Sequence, residues 1–203
     1  MGSEPQRRGG DMNRFGHSPF FPFQPYFQMS SNTDIQVRPA KLGDAKTIAE
    51  IHVEAWVAAY AGIVPDEHLK SFTVAKREVM WQDAIKFSEP QVWVAMDANA
   101  IVGFVGFDRS RDAKSKATMG EIWAMYAAPD YWGNGVGLAL WDAAREGLVE
   151  EGCTDVSLWV LLKNERALRF YDLAGFKREM NTAKTVPMGG GKVEEIRMRR
   201  KLD

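Results

Sequence analysis

The spacing of hydrophobic positions changes period several times from Asp34 onward, and each change marks an element. Ile35 to Arg38 predicts a short strand ended by Pro39. Gly43 and Asp44 open an amphipathic helix with Asp44 at its N-cap; Ile48, Ile51, Ala55 and Ala59 form its buried face, and Gly62 and Pro65 end it. A second helical period spans Val74 to Phe87 through Val79, Met80 and Ala84, and stops at Pro90. Two apolar runs, Gln91 to Met96 and Ala100 to Phe107, joined by Asp97-Ala98-Asn99, predict a β-hairpin. A strand over Glu121 to Ala127 follows and is closed by Pro129. A glycine-rich turn from Gly133 to Gly137 leads into a helix through Leu138, Leu140, Ala144 and Leu148, ending at Gly152. Val156 to Leu161 is a buried strand, and Asn164 to Ala174 a short helix ended by Gly175. The last two strands, Phe176 to Thr185 and Val193 to Leu202, flank a loop from Pro187 to Gly191. In the final strand Ile196, Met198 and Leu202 alternate with Arg197, Arg199 and Lys201, giving one buried and one wet face. This order predicts a single α/β domain around one central mixed sheet, without internal repeats.

The first 33 residues break the pattern. They contain no Ala, Val, Ile or Leu, yet hold four of the nine prolines and six aromatics, Phe15, Phe20, Phe21, Phe23, Tyr26 and Phe27. A segment without aliphatic side chains contributes no packed element, so 1–33 reads as a disordered leader or as an aromatic docking segment for another chain, and 34–203 as the domain. Across the whole chain of 203 residues, 26 Lys plus Arg against 27 Asp plus Glu give a net charge of −1. That balance leaves no basic footprint for nucleic acid or an anionic membrane, and neither partner is expected. Cys153 is the single cysteine, which excludes a disulfide within the chain and a cysteine-based zinc site; His17, His52 and His68 lack metal-ligand spacing, so no metal is expected. The uncharged stretch from Ala55 to Pro65 is 11 residues, short of a membrane span. Arg7 and Arg8 are followed by Gly9, Gly10 and Asp11, unlike a secretory signal. A lone thiol and no export signal point to the cytoplasm.

Candidate chemistry concentrates between Glu121 and Leu140, where a strand runs into Gly133-Asn134-Gly135-Val136-Gly137 and straight into a helix. Consecutive amides of such a turn, with the first free N–H groups of the helix, converge on one small space and make an anion site. A nucleoside-triphosphate loop ends in Gly-Lys-Ser/Thr, whereas Gly137 is followed by Leu138 and Ala139. The dinucleotide pattern G-x-G-x-x-G fails too, since its third glycine falls on Leu138 or Leu140. What remains is a pyrophosphate held by backbone without metal, for which coenzyme A is the common ligand, or a turn kept only for tight strand–helix packing.

Pro129 to Gly137, followed by Leu138 and Leu140, resembles the acetyl-CoA motif of the GNAT superfamily of N-acetyltransferases, Gln/Arg-x-x-Gly-x-Gly/Ala. Its glycines fall at Gly135 and Gly137; its Gln/Arg position is Trp132, a departure. A second match, Asn164-x-x-Ala167-x-x-x-Tyr171-x-x-x-Gly175-Phe176, follows a strand, and the resemblance spans Ile35 to Leu202 in element order.

The resemblance implies a central sheet splayed at the coenzyme site and flanked by helices. It implies transfer of an acetyl group from acetyl-CoA to an amine of a small molecule, peptide or protein, without metal, with a homodimer as an option. On this sequence it places the pyrophosphate on Gly133, Asn134, Gly135, Val136, Gly137 and Leu138. The pantetheine arm lies along Met125, Tyr126 and Ala127, with Asn164 reaching it, and an amide near Tyr126 or Ala127 faces the oxyanion. Tyr171 becomes the general acid. The general base is Glu121, which strict alternation puts on one face with Trp123 and Met125; Asp108 is the weaker alternative. Trp56, Tyr60 and the turn from Gly62 to Pro65 form the amine pocket, His52 and His68 are surface or packing residues, and Arg166 and Lys163 either touch phosphates or are solvated. A different class, a catalytically silent acyl-CoA-binding or sensing module, shares the coenzyme site but needs neither Tyr171 nor Glu121.

Overall fold

A computed structural model describes residues 35–202; the leader read at 1–33 lies outside them. The chain runs β1 (Gln36–Pro39), α1 (Ala45–Tyr60), α2 (Asp66–Ser71), α3 (Val74–Phe87), β2 (Gln91–Asp97), β3 (Ala100–Arg109), β4 (Met119–Ala127), α4 (Val136–Glu150), β5 (Asp155–Leu161), α5 (Glu165–Leu173), β6 (Lys177–Met188) and β7 (Gly191–Lys201). All seven strands join one sheet in the order β1-β2-β3-β4-β5-β7-β6. Every pairing is antiparallel except that of β4 with β5.

Helices cover both faces, which is why β2 and β3 read as nearly unbroken apolar runs. On one face Ile48 and Ala49 of α1 and Trp81 and Ala84 of α3 pack on Val92, Val94 and Phe104. On the other, α4 presents Val136, Leu140, Trp141, Ala144 and Leu148, an apolar stripe at helical spacing, to Val105, Phe107, Ile122 and Leu158. Leu140 is fully buried there, and truncating such a side chain to alanine costs about 2–5 kcal/mol. No helix among the described residues is long and apolar enough to cross a membrane.

Three local readings need correction. Asp44 does not cap α1 with its side chain; its carboxylate accepts from the Lys41 amide at 2.7 Å and from Arg38 at 2.6 Å, stapling β1 to a 3-10 turn at Leu42–Asp44. The six-residue α2 was not foreseen, having only Leu69 as a buried anchor. The final hairpin continues through Val186, Pro187 and Met188, which pair with Val193, Lys192 and Gly191 and leave only Gly189 and Gly190 as its turn. Proline is tolerated there because β6 is an edge strand.

Two departures from a regular sheet position the site. β4 and β5 pair only over Met119–Glu121 and Asp155–Ser157, then diverge. In β4 the register with β3 jumps from Ile122 opposite Phe107 to Ala124 opposite Gly106, so Trp123 is the extra residue of a β-bulge. Ile122 and Met125 consequently share the α4 face, while Ala124 and Tyr126 face α1 and α3.

Candidate active site

The gap between the diverging strands is a cavity of about 460 Å³, walled by Met125, Tyr126 and Ala127 of β4, Trp159 and Val160 of β5, the turn before α4, and α5. Its β4 wall is an unpaired strand edge with a definite polarity. The Ala128 amide donates to the Val102 carbonyl at 2.9 Å, and the Tyr126 carbonyl also lies against β3. In an antiparallel ladder the alternate residues point their amides and carbonyls the other way. Met125 therefore offers its amide and carbonyl to the gap and Ala127 its amide, the Ala127 carbonyl accepting from the Trp132 indole, and those of Tyr126 are taken up by β3. The expected oxyanion amide is narrowed accordingly: the Tyr126 amide is not available, whereas those of Met125 and Ala127 are.

At the mouth of the gap the turn adopts the conformation its glycines allow. Gly133 and Gly135 have φ of 81° and 85°, and a Cβ at either position would meet nothing within 4 Å. Tight packing thus does not account for them; backbone conformation does. Gly135 is the N-cap of α4, whose first turn leaves the Val136, Gly137 and Leu138 amides without intrahelical acceptors. Gly133, Gly135, Gly137 and Leu138 line the cavity. Asn134 does not: its amide donates to Tyr131 O at 3.3 Å and its side chain to Asp130 O at 3.4 Å. The Val136 side chain is buried in the core, leaving only its amide for a ligand, and a Cβ on Gly137 would press Phe170 at 3.2 Å.

Trp132 and Arg166 complete this mouth. The Trp132 indole donates to Ala127 O at 2.9 Å, tying the turn to the strand edge. The Arg166 guanidinium stacks on the Trp132 ring at 3.0 Å from its centroid. A cation is thereby parked beside the turn, although the local pattern has an aromatic where a polar residue is usual.

Tyr171, Asn164 and Tyr60 also line the gap. Asn164 caps α5, its Oδ1 accepting from the Ala167 amide at 3.1 Å. Tyr171 packs edge-on against Phe170 and Phe176. Burial, reinforced by Tyr60, pushes its phenol pKa well up. Burial and then Tyr60 do the same to Tyr126. Both phenols keep their protons throughout the physiological range.

The two remaining site candidates lie elsewhere. The bulge at Trp123 resets the alternation, so Glu121 sits on the face of Ala124 and Tyr126 and away from Met125. Its buried carboxylate is tied to Arg111, accepting from that residue's amide at 2.8 Å and from its guanidinium. The same guanidinium lies 3.9 Å over the Trp123 ring. Trp56 lines not the gap but a second cavity of about 620 Å³, with His52, Arg77, Trp81, Arg111 and Trp123. His52 is buried, and its Nδ1 accepts from Trp81 Nε1 at 3.1 Å. Burial, with the Arg77 charge adding, pulls the His52 pKa down to about 3. Trp56 stands 4.4 Å from Tyr60 and His52 4.7 Å from Tyr126, centroid to centroid, so one layer of rings divides the two cavities. Sequence reasoning missed Arg77 and Arg111, which carry no local motif. Among the described residues no group of three His, Cys, Asp or Glu is placed to hold a metal ion.

Comparison with known proteins assigns this geometry to a class. Residues 48–176 match the profile of the acetyltransferase (GNAT) family. An uncharacterized N-acetyltransferase of Bacillus subtilis, YuaI, is 32% identical over 131 residues, 64% of this chain and 73% of that protein. A spermidine N(1)-acetyltransferase of Thermoplasma acidophilum is 26% identical over 147 residues, 71% of this chain and 89% of its own length. The fold matches PaiA N-acetyltransferase from Thermoplasma acidophilum in complex with coenzyme A, with a TM-score of 0.65 and 23% identity over 82% of this chain and 98% of that one. The chain belongs to the GNAT acetyltransferase family and is an acetyl-CoA-dependent acyltransferase.

Proposed function

We propose that this protein transfers the acetyl group of acetyl-CoA to a primary amine. One observation carries the reading: free amides of the glycine turn and of the first turn of α4, the open strand edge at Met125 and Ala127, and the protonated phenol of Tyr171 all line one cavity. Bound acetyl-CoA supplies a thioester carbonyl as the electrophile. The residues around it divide the remaining work. Amides at Gly133, Gly135, Val136, Gly137 and Leu138 hold a diphosphate by directed N–H groups and the N-terminal end of α4. Met125 and Ala127 pair with an extended, amide-bearing arm as an added strand would, and one of their amides faces the oxygen on which charge develops. Asn164, with its oxygen committed to the cap, keeps its NH₂ for that arm.

Tyr171 holds the proton for the leaving sulfur. A thiol of pKa about 8.5 leaves as a weakly basic thiolate, and a phenol that stays protonated stabilises it by sharing its proton. Glu121 has a different part from the base expected of it. Its carboxylate fixes Arg111, and through Arg111 the Trp123 wall of the second cavity. The attacking nitrogen then arrives as free amine; as its bond to the acetyl carbon forms and the carbon–sulfur bond breaks, it releases one N–H proton to water while Tyr171 shares its own with the sulfur, and rates should rise with pH through the acceptor's own pKa. A cytoplasmic setting belongs to this reading, with Cys153 buried as a free thiol.

The test is thiol release from acetyl-CoA with a panel of amines, on wild type and Tyr171→Phe. Turnover that collapses in the variant supports the reading. Tight coenzyme binding with no turnover on any amine would instead identify a silent sensor.

A further inference from the structure

The mouth of the coenzyme gap has two sides of different character. On one, Trp132 bonds to Ala127 O and carries the Arg166 guanidinium on its ring, which closes the turn against the strand edge. On the other stand Leu138, in the first turn of α4, and Leu173, at the end of α5, with 54% and 82% of their surface exposed. Both line the gap and also the surface depression beside it, so they form the lip between the two. Single exposed leucines are common, but two from different helices on the lip of a ligand gap make an apolar place that opens on solvent.

A cation stands next to this lip. Arg169 lies one helical turn before Leu173, so the two side chains are neighbours on α5. It lines the gap and is exposed. No carboxylate among the described residues is within salt-bridge distance of it, and Asp172 is taken by Arg178. Arg166, by contrast, is committed to the Trp132 ring. A guanidinium without an anion, beside an apolar lip, suits a ligand that pairs a phosphate with a flat, weakly polar ring.

Coenzyme A offers both in one piece, because beyond its diphosphate it carries an adenine and a ribose 3′-phosphate. With the diphosphate on the amides of Val136, Gly137 and Leu138 and the pantetheine arm directed inward along β4, the adenosine leaves by the mouth. It leaves beside Leu138, whose amide is one of the diphosphate donors and whose side chain is half of the lip. Building on that seating of the diphosphate, we propose that Leu138 and Leu173 cover the adenine and that Arg169 binds the ribose 3′-phosphate, so that the enzyme selects coenzyme A over its 3′-dephospho form. Arg166 serves the diphosphate, which both forms share.

Calorimetry with coenzyme A and with 3′-dephospho-coenzyme A tests this without any acceptor. Wild type should bind coenzyme A about fivefold to tenfold tighter at low salt, a modest preference because Arg169 is exposed, and the preference should shrink as ionic strength rises. Arg169→Gln should bring the ratio to about one while leaving the affinity for the dephospho form unchanged. Arg166→Gln should weaken both forms alike and keep the ratio. Leu173→Asn should also weaken both alike, about threefold, by stripping apolar cover from the adenine. All three positions are exposed, so these substitutions leave the fold intact. Equal wild-type affinities, a preference that survives Arg169→Gln, or one that vanishes with Arg166→Gln instead, overturns the inference. So does unaltered binding in Leu173→Asn. Gly135→Val reports separately on the diphosphate: if it weakens both forms while the adenosine outcomes fail, the turn still holds the diphosphate and the adenosine site alone is wrong. If neither form binds to wild type, the coenzyme reading of the gap falls, and this inference with it.

Discussion

The two cavities on either side of the β4 wall are built on opposite principles. The coenzyme gap is made largely of main chain. Its donors are amides of the turn and α4, its strand edge is the backbone of Met125 and Ala127, and most of its residues fall in two short stretches of sequence. The second cavity is made of side chains, Trp56, Arg77, Arg111 and Trp123, delivered by α1, α3, a loop and a bulge. A backbone site depends on conformation and tolerates changes of side-chain identity, as Trp132 shows. A side-chain cavity depends on which residues tertiary packing brings together, so its wall can change without disturbing the main-chain one. Between them stands a shared layer of aromatic rings, which belongs to the core of both.

That contrast can be broken at its most sensitive point by Tyr171→Phe. The substitution removes one oxygen from a site whose donors are mostly main-chain amides. The expected result is a fall in kcat of about 100-fold, the usual range for loss of a general acid, with the dissociation constant for coenzyme A little changed. Stopped thiol-release assays and calorimetry measure the two separately. Retained kcat would mean that solvent protonates the sulfur and that the gap is purely a binding device.

Gly135→Val tests the backbone half. A β-branched residue at φ 85° is strained by about 1–3 kcal/mol, although the space around its Cβ is open. The turn should relax away from the coenzyme, weakening its binding about 10- to 100-fold. Unaltered affinity would show that the turn's conformation does not matter and that the donors lie elsewhere.

The shared layer predicts a pH dependence of stability. His52 is neutral in the folded protein with its pKa drawn to about 3, and accepts the Trp81 N–H; unfolded, it titrates near 6.5. The unfolded chain thus binds the extra proton between these values. Stability is full above about pH 6.5 and falls by about 1.4 kcal/mol for each unit below it, down to about pH 3. Urea unfolding at pH 7 and pH 5.5 should show a loss in wild type that His52→Gln, which retains an acceptor but cannot titrate, lacks. An identical loss in the variant would place the acid sensitivity elsewhere.

The same division explains what was legible in the sequence. The turn from Gly133 to Gly137 and the Asn164–Tyr171 face are local patterns, and the structure brings most of both to one gap. Asn134 fell out because a turn consumes some of its own donors, and Val136 kept only its amide because its side chain faces the core. Glu121 was assigned to the Met125 face by counting alternate residues, a rule that a single bulged residue inverts; nothing in Glu121-Ile122-Trp123-Ala124 announces the bulge. Trp56 and Tyr60 sit one helical turn apart and predict one pocket, yet their rings touch and together form part of the layer between two cavities, Trp56 facing one and Tyr60 the other. Arg77 was invisible for the plainest reason: it joins the wall of the second cavity only once α3 has packed against α1.

The smallest expected effect concerns Arg166, the cation stacked on Trp132 at the mouth of the gap. It lies over Trp132, whose indole also holds the Ala127 carbonyl, so strand edge, aromatic platform and cation form one connected unit. Arg166 is exposed, and solvent screens much of its attraction for a diphosphate. Arg166→Ala should therefore raise the KM for acetyl-CoA only about threefold to fivefold at low salt, and less at high ionic strength. Trp132→Ala should cost more, because it releases the cation and the strand edge together. If Arg166→Ala proves as damaging as Gly135→Val, the coenzyme site relies on a side chain as heavily as the second cavity does, and the two cavities are not built on different principles. If its effect is small and vanishes in salt, the amides alone grip the diphosphate, and the aromatic at position 132 is free to serve as the brace between turn and strand.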